Sequence, residues 1–287
     1  MRMRDRVALV TGASRGGGRG IALVLGEEGA TVYVTGRSVR GASTRPELSG
    51  TTIDDTAEQV TARGGVGILV RCDHTVDEDV EALFARVEEE QGRRLDVLVN
   101  NVWGGYERDP EGDFVSPFWE QPLWRWDAMF TAGVRAHYTA SRLAVRLMIP
   151  HRSGLIINTT FWDRDKYMQP LSYDLSKQAI NRMAYGMALE LREIGIAVVA
   201  LSPGWMRTEA VIASVPPNGR PSPEEMERTE SVKYIGRAVA ALASDRNVIE
   251  KSGQTLTVGD LAQEYGFTDV DGRQVPPFRI SGELLMD

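Results

Sequence analysis

The stretch VALVTGASRGGGRGI, residues 7–21, decides the fold of this chain. It begins with four apolar residues typical of a short buried strand and continues through five glycines into an apolar run typical of a helix. A glycine-rich turn between strand and helix lets a phosphate approach the backbone, because the first N–H groups of a helix have no partner inside it. The stretch therefore predicts a strand, an anion-binding turn and a helix, in that order.

The same alternation of apolar, β-branched runs with helix-patterned segments continues through the chain. Strands are predicted at residues 7–11, 31–35, 66–73, 95–100, 154–160, 197–202 and 254–258, and helices at 21–29, 52–63, 76–91, 124–148, 173–194 and 231–243. This pattern predicts an α/β fold, a doubly wound (Rossmann) parallel seven-stranded sheet with helices on both faces. We expect residues 1–287 to form a single domain, with loop insertions near 38–51 and 103–122 and a C-terminal extension at 261–287.

Composition narrows the possible classes of protein. The hydrophobic fraction of 42% and charged fraction of 25% are typical of a globular chain, and a net charge of −7 with scattered arginines disfavours a nucleic-acid partner. One cysteine, Cys72, and three histidines predict no structural zinc site, and we expect no metal and a reducing, cytoplasmic location. No apolar run approaches the length of a membrane span, so no membrane association is expected.

The glycine-rich turn predicts a dinucleotide site. Because the backbone must approach the pyrophosphate closely, Gly12, Gly16 and Gly18 are the glycines expected to contact it, together with Ser14. The remaining two glycines, Gly17 and Gly20, are expected only to loosen the turn.

The end of the second strand indicates the type of nicotinamide cofactor. An acidic residue there would accept the ribose 2′-hydroxyl of NAD, whereas a nearby arginine accommodates the 2′-phosphate of NADP. The strand ends Val34-Thr-Gly-Arg37 with no carboxylate, and Arg15 in the turn could also flank a phosphate. NADP(H) is therefore favoured over NAD(H).

Tyr173 and Lys177 open a long predicted helix, and their spacing places phenol and ammonium on one face. A phenol with a pKa of about 10 is a poor base at neutral pH, but a neighbouring cation favours its phenolate. This pair, downstream of a dinucleotide turn, predicts proton transfer coupled to nicotinamide chemistry.

These motifs together resemble the short-chain dehydrogenase/reductase family over nearly the whole chain. The resemblance rests on Thr11 to Gly18, on Asp73, on Asn100-Asn101, on Tyr173 with Lys177, and on Pro203-Gly204. It implies cofactor contacts at Asp73 for the adenine, at Asn101, Tyr173, Lys177, Pro203 and Gly204, and at Met206 and Thr208 for the carboxamide. A narrower resemblance, in residues 29–37, 118–120, 154–156 and 260–273, is to one mammalian member described as reducing steroid and xenobiotic carbonyls with NADPH.

Two positions depart from the family pattern. The family's catalytic serine corresponds here to Thr160, and the neighbouring Thr159 leaves its register open by one residue. The family's catalytic asparagine is replaced by Gly133, so the proton path to Lys177 must be organised differently or turnover is slower.

The sequence therefore predicts an NADPH-dependent oxidoreductase that reduces a ketone or aldehyde, with Tyr173, Lys177 and Thr160 as catalytic residues. The aromatic residues beyond the strand ends predict an apolar substrate pocket lined by Trp103, Phe161, Trp162 and Trp205. The family resemblance implies a homodimer or homotetramer assembled through the two long helices. The alternative is an NADP-binding regulatory or partner protein with weak catalysis.

Overall fold

A seven-stranded parallel sheet forms the centre of the computed structural model, which describes residues 1–48, 50–106, 114, 116–164, 166–214 and 227–280. The strand order is β3-β2-β1-β4-β5-β6-β9, and every pairing is parallel. These strands are β1 (Val7–Val10), β2 (Thr31–Gly36), β3 (Val66–Arg71), β4 (Val97–Asn100), β5 (Gly154–Thr159), β6 (Ile196–Ser202) and β9 (Thr255–Thr257). A separate short pair joins β7 (Trp205–Met206) to β8 (Thr229–Glu230). The predicted doubly wound seven-stranded sheet is confirmed.

Helices cover both faces of this sheet, which explains why its strands are apolar on both sides. The helices of the described residues are α1 (Gly16–Glu27), α2 (Ile53–Ala62), α3 (Asp77–Glu90), α4 (Leu123–Ala128), α5 (Ala136–Met148), α6 (Leu171–Leu191), α7 (Glu209–Ser214), α8 (Val232–Ser244) and α9 (Val258–Tyr265). Residues of α1, α2, α8 and α9 contribute to the core on one face, and residues of α3, α5 and α6 to the core on the other.

The helix predicted at residues 124–148 is interrupted. Between α4 and α5 the chain forms a π-helical segment, Met129–Arg135, whose wider turn shifts the faces that the flanking residues present. Helical periodicity alone does not reveal such a segment, because the apolar pattern continues through it. Gly133 lies within it and is buried.

Helix α9 was not predicted, although its start carries a local signal. The Thr257 side chain accepts a hydrogen bond from the Asp260 N–H at 3.2 Å, which is a helix N-cap. The residues Thr-Val-Gly-Asp, 257–260, therefore contained a capping pattern that the strand prediction at 254–258 obscured.

The expectation that Gly20 only loosens the turn is wrong. Helix α1 begins at Gly16, five residues before its predicted start, so Gly20 lies inside the helix. A Cβ added at Gly20 would lie 1.7 Å from the Val232 carbonyl oxygen, and one at Gly236 would lie 2.7 Å from the Gly20 carbonyl oxygen. The two glycines allow α1 and α8 to pack backbone against backbone.

The described part of the C-terminal extension packs against the rest of the protein. Val275 and Ile280 are buried, and the Tyr234 hydroxyl on α8 donates to the Val275 carbonyl at 3.1 Å. The Ile280 N–H donates to Asp163 Oδ2 at 2.6 Å, which attaches the extension to the loop that follows β5. Among the helices of the described residues, none combines the length and apolar character needed to cross a membrane.

Replacing Gly20 with alanine is expected to destabilise the protein by about 3 kcal/mol, because the new methyl group overlaps a backbone carbonyl that cannot move alone. Urea unfolding followed by circular dichroism measures this change. Gly186→Ala on α6 is the control, since nothing lies within 4 Å of its added methyl group and helix propensity favours alanine. A Gly20→Ala protein as stable as Gly186→Ala would contradict the packing described.

Candidate active site

The turn between β1 and α1 lies at the carboxyl edge of the sheet, beside the crevice between β1 and β4 where the strand order reverses. Gly12 and Gly16 have positive φ angles of 65° and 56°. A Cβ at Gly12 would lie 2.9 Å from the Val102 Cα, and one at Gly18 would lie 2.4 Å from the Gly12 carbonyl oxygen. Side chains are therefore excluded at these two positions, and the N-terminus of α1 stays open to an anion.

The segment after β4 fixes this turn. The N–H groups of Asn101 and Val102 both donate to Thr11 Oγ1, at 2.9 and 3.0 Å. Asn101 Nδ2 donates to the Gly12 carbonyl at 3.2 Å. The predicted cofactor residue Asn101 thus holds the turn from behind, and Asn100 is buried, donating to Asn158 Oδ1 at 2.9 Å.

Basic and hydroxyl groups gather where β2 ends. Arg15 donates from Nη2 to Ser38 Oγ at 2.7 Å, while its buried Nε has no hydrogen-bond partner among the described residues. Burial lowers the pKa of Arg15, and the nearby guanidiniums of Arg45 and Arg37 lower it further. The carboxylates of Glu209 and Glu47 oppose this effect. An arginine with an unpartnered donor beside a serine hydroxyl can still bind a phosphate, so Arg15 and Ser38 fit a phosphorylated ligand.

Asp73 lies next to this cluster. Its Oδ2 is 3.7 Å from Arg37 Nη1, and its Oδ1 accepts hydrogen bonds from the N–H and hydroxyl of Thr75 at 3.0 and 2.7 Å. The structure therefore brings the predicted adenine-contacting residue and the predicted phosphate-contacting arginine to one edge of the sheet.

Tyr173 and Lys177 lie one turn apart near the start of α6, as predicted. Lys177 is 7% exposed, and its Nζ lies 5.4 Å from the centre of the Tyr173 ring. Burial raises the pKa of Tyr173 well above its usual range, with Tyr106 and Asp174 adding to the effect, and burial lowers the pKa of Lys177 to about 7. The same burial thus favours the uncharged form of both groups.

The hydroxyl of Thr160 does not face Tyr173 in the structure. It donates towards the carbonyls of Lys177 and Phe161, at 3.2 and 3.3 Å, and the residue is buried behind α6. These long bonds would have to be exchanged for a bond to a ligand, by rotation about the Cα–Cβ bond, before Thr160 could act on a substrate oxygen.

Aromatic rings surround the Tyr173 phenol. The ring of Trp103 packs edge-on to it with centres 5.6 Å apart, and Phe114 and Phe161 each lie 6.1 Å away. The Tyr106 ring lies between those of Trp103 and Phe114, with its centre 6.5 and 5.5 Å from theirs. Tyr173, Trp103, Tyr106 and Phe114 thus form a closed ring of four aromatic side chains. An aromatic wall around a partly buried phenol limits the access of water and suits an apolar ligand.

Comparison with known proteins agrees with this geometry. The family model described as short chain dehydrogenase matches residues 6–218. The chain belongs to the short-chain dehydrogenase family. The family resemblance predicted from the motifs is confirmed, and with it an oxidoreductase fold that binds nicotinamide cofactors.

Individual members of the short-chain dehydrogenase family are similar over most of their length. Dehydrogenase/reductase SDR family member 1 of Mus musculus is 38% identical over 290 residues, covering 99% of this chain and 89% of that protein. This is the mammalian member indicated by the narrower sequence resemblance. A crystal structure of hydroxysteroid dehydrogenase from Escherichia coli has a TM-score of 0.72 and 26% identity, covering 89% of this chain and 96% of that one. A metagenomic short-chain oxidoreductase in complex with NADP has a TM-score of 0.69 and 26% identity, covering 90% and 97%.

The segment that follows β6 lies against the glycine-rich turn between β1 and α1. Cβ atoms added at Gly16 and Gly17 would lie 3.5 Å from Thr208 Cγ2 and 3.3 Å from Met206 Cε, so both predicted residues reach the turn. Pro203 and Gly204 precede them, and a Cβ added at Gly204 would lie 2.7 Å from Oε2 of Glu230, a buried residue on β8. Burial raises the pKa of Glu230 to about 8.

Several residues of the site were missed by sequence analysis. Tyr106, Phe114 and Phe278 complete the aromatic wall, and the Phe278 ring lies 6.0 Å from that of Phe161. Because these residues are far from Tyr173 along the chain, no local sequence pattern connected them with it.

Of the four predicted pocket residues, Trp103 and Phe161 contact Tyr173. The Trp162 N–H instead donates to Ser202 Oγ, and Trp205 lies on β7 with 42% of its surface exposed.

Glu209 was also missed, and its carboxylate takes the position at the N-terminus of α1 where an anion is expected. The Gly16 N–H donates to Glu209 Oε2 at 2.8 Å, and Arg19 Nη1 lies 3.9 Å from Oε1. The helix terminus favours negative charge, so Glu209 stands in for a ligand phosphate. A phosphate at this helix terminus would compete with the Glu209 carboxylate.

We predict that Glu209→Gln tightens dinucleotide binding several-fold, because an uncharged amide competes less for the α1 N-terminus and does not repel the incoming phosphates. Quenching of tryptophan fluorescence during NADPH titration measures the Kd. Glu58→Gln, on an exposed face of α2, serves as the matched charge control. Unchanged or weaker binding by Glu209→Gln would contradict a competing role for this carboxylate.

Proposed function

We propose that this protein is an NADP(H)-dependent oxidoreductase that reduces a ketone or aldehyde, and in reverse oxidises an alcohol. The observation that carries the proposal is the placement of the Tyr173 phenol beside the Lys177 ammonium, within an aromatic wall and on the same sheet edge as the glycine-rich turn. Residues Gly12, Gly16 and Gly18 with Arg15 and Arg37 would hold the cofactor. Lys177, Met206 and Thr208 would hold its nicotinamide half.

Each residue of the site has one role in the proposed reaction. Bound NADPH supplies a hydride to the carbonyl carbon and leaves as NADP⁺. Tyr173 donates its phenolic proton to the carbonyl oxygen, which becomes the alcohol hydroxyl, and the resulting phenolate regains a proton from solvent. A phenol is protonated at neutral pH even at its ordinary pKa, and burial raises the pKa of Tyr173 further, so the free site holds Tyr173 in its proton-donating form. Lys177 stabilises the phenolate, and Thr160, once turned from its backbone carbonyls, is the second hydrogen-bond donor to the substrate oxygen.

The preference for the phosphorylated cofactor is proposed from the edge where β2 ends. Arg15 has an unpartnered Nε, and Ser38 adds a hydroxyl within hydrogen-bond distance of its guanidinium. Among the described residues, Glu209 is the carboxylate bonded to the Gly16 N–H of the turn, and a phosphate bound there would replace it. The solved relative that holds NADP has the same fold.

The aromatic wall supports an apolar carbonyl substrate of some bulk, and the exposed apolar residues of α5 and α6 support assembly into a homodimer or homotetramer. These exposed side chains are Tyr138, Leu175, Tyr185 and Leu189. We infer that the chain acts as one domain. Its lone, buried Cys72 is consistent with a cytoplasmic location.

Tyr173→Phe is expected to lower the rate of NADPH-dependent reduction at least about 100-fold, because it removes the proton donor, while leaving NADPH binding intact. A panel of apolar and hydrophilic ketones and aldehydes, followed by NADPH absorbance, measures turnover. Tyr185→Phe, on an exposed position of the same helix, is the control and should retain full activity. Full activity in Tyr173→Phe would exclude the assignment of Tyr173 as the proton donor.

The alternative is an NADP-binding regulatory or partner protein, which Gly133 and the orientation of Thr160 favour. Tight NADPH binding by the wild-type protein, without turnover of any carbonyl in the panel, would select this alternative.

Arg15→Ala is expected to weaken NADPH binding by about 10- to 100-fold, the usual value of a charged hydrogen bond, and to leave NADH binding unchanged. Fluorescence titration with both cofactors measures the ratio of their Kd values. Arg40→Ala is the control, because Arg40 lies in the loop between β2 and α2 and is paired with Asp55 and Glu58. Equal losses for NADPH and NADH would show that Arg15 contacts a part common to both cofactors.

A further inference from the structure

Lys177 carries a buried ammonium with an unusual neighbour. Its Nζ lies 3.4 Å from the centre of the Trp103 ring. In the described part of the chain, no carboxylate and no hydrogen-bond acceptor lies within bonding distance of this Nζ. Removing a charge from water without a partner is costly, so among the described residues the face of the indole ring is the electrostatic support in contact with this cation.

Gly133 is the residue that makes room for the indole. A Cβ at position 133 would lie 2.6 Å from Cζ3 and 2.9 Å from Cε3 of Trp103, which is closer than non-bonded atoms approach. The glycine lies in the π-helical segment Met129–Arg135, and π-helical turns frequently occur at functional sites. The ring of Trp103 therefore fills the space that any side chain at position 133 would need.

The backbone that leads into Trp103 is held by hydrogen bonds to two separate elements. The two residues before it are bonded to Thr11 through their N–H groups, and the Val102 carbonyl is 3.1 Å from His137 Nε2 on α5. The ring itself packs edge-on against Tyr173. The indole is thus a fixed part of the site that touches the phenol and the ammonium together.

We infer that Trp103 is a positioning residue for Lys177: its indole face holds the ammonium beside the Tyr173 phenol, and Gly133 leaves the space that the ring fills. The significance of Tyr173 and Lys177 rests on the proposed function, whereas the contact between Trp103 and Lys177 does not. Removing the ring should make the ammonium harder to maintain.

Among the described residues, the titratable groups that face Lys177 are Tyr173 on its own helix and His137 on α5. Burial, with the Lys177 charge adding to it, lowers the pKa of His137 to about 3, so His137 is uncharged throughout the neutral range. Burial keeps Tyr173 protonated there. Titration of Lys177 is therefore the event that changes charge in this cluster near neutral pH.

The test is an NMR titration of the full-length, cofactor-free protein labelled with ¹³C at lysine Cε. The chain has four lysines, Lys166, Lys177, Lys233 and Lys251, and the signal lost in Lys177→Arg assigns the one of interest. Trp103→Leu keeps an apolar neighbour and removes the ring, so the pKa of Lys177 should fall by about one unit relative to wild type. Trp103→Phe keeps a weaker aromatic face and should give an intermediate value. An unchanged or raised pKa in Trp103→Leu would overturn the inference.

Kinetics provide a second measurement on the same variants. Trp103→Leu should lower kcat more than Trp103→Phe and move the pH profile of kcat in the same order as the Lys177 pKa. A residue that only lines the substrate pocket would raise KM and leave this profile in place, which would overturn the positioning role. Because the NMR titration needs no turnover, its outcome is independent of whether Tyr173→Phe abolishes activity.

A double-mutant cycle tests the role of Gly133. Gly133→Ala should lower the melting temperature and the Lys177 pKa in the wild-type background, because the methyl group displaces the ring. In the Trp103→Ala background the same substitution meets no ring and should do neither. Gly186→Ala, a helical glycine with open space around it, is the matched control. Equal effects of Gly133→Ala in both backgrounds would show that Gly133 does not serve the ring.

Discussion

The close approach of two backbone segments at the carboxyl edge of the sheet determines the rest of the site. Gly12 and Gly18 have no space for a Cβ, and this lets the residues after β4 dock against the turn with two N–H bonds to Thr11. The next residue in that segment is Trp103. One contact therefore shapes the cofactor turn and also delivers the indole ring to the Tyr173 and Lys177 pair.

Glycine performs three different physical tasks in this protein. At Gly12 and Gly16 the chain needs positive φ angles that other residues rarely adopt. At Gly20 and Gly236 two helices pack with their backbones in contact, and at Gly133 a ring from a distant loop occupies the space of the missing side chain. A substitution at each kind of position fails for a different reason, namely backbone strain, helix separation or displacement of a neighbouring ring.

Burial also sets the charge state of the site. It opposes ionisation of both Tyr173 and Lys177, so the phenol stays protonated while the Lys177 ammonium loses its proton more readily than an exposed lysine does. Glu230, which lies beside Gly204, and His137, which lies against the Trp103 segment, are uncharged near neutral pH for the same reason. In contrast, Glu209 places a carboxylate at the N-terminus of α1, where the helix itself favours negative charge.

The sequence by itself determined the features that depend on residues close together in the chain. The strand-to-helix turn at residues 7–21, the alternation that gives a seven-stranded parallel sheet and the one-turn spacing of Tyr173 and Lys177 are all local patterns. A local pattern can be read because the periods of strands and helices fix which residues share a face.

Only the tertiary structure decided which groups meet across the sheet edge. Glu209 and Gly16 are 193 residues apart, and nothing in either segment indicates the other. Sequence analysis identified Gly133 as the place of a missing side chain, and the structure showed that the Trp103 ring fills it. The physical reason is that steric exclusion and cation–π contact depend on distances between separate elements, which the packing of α5, α6 and the loop after β4 sets together.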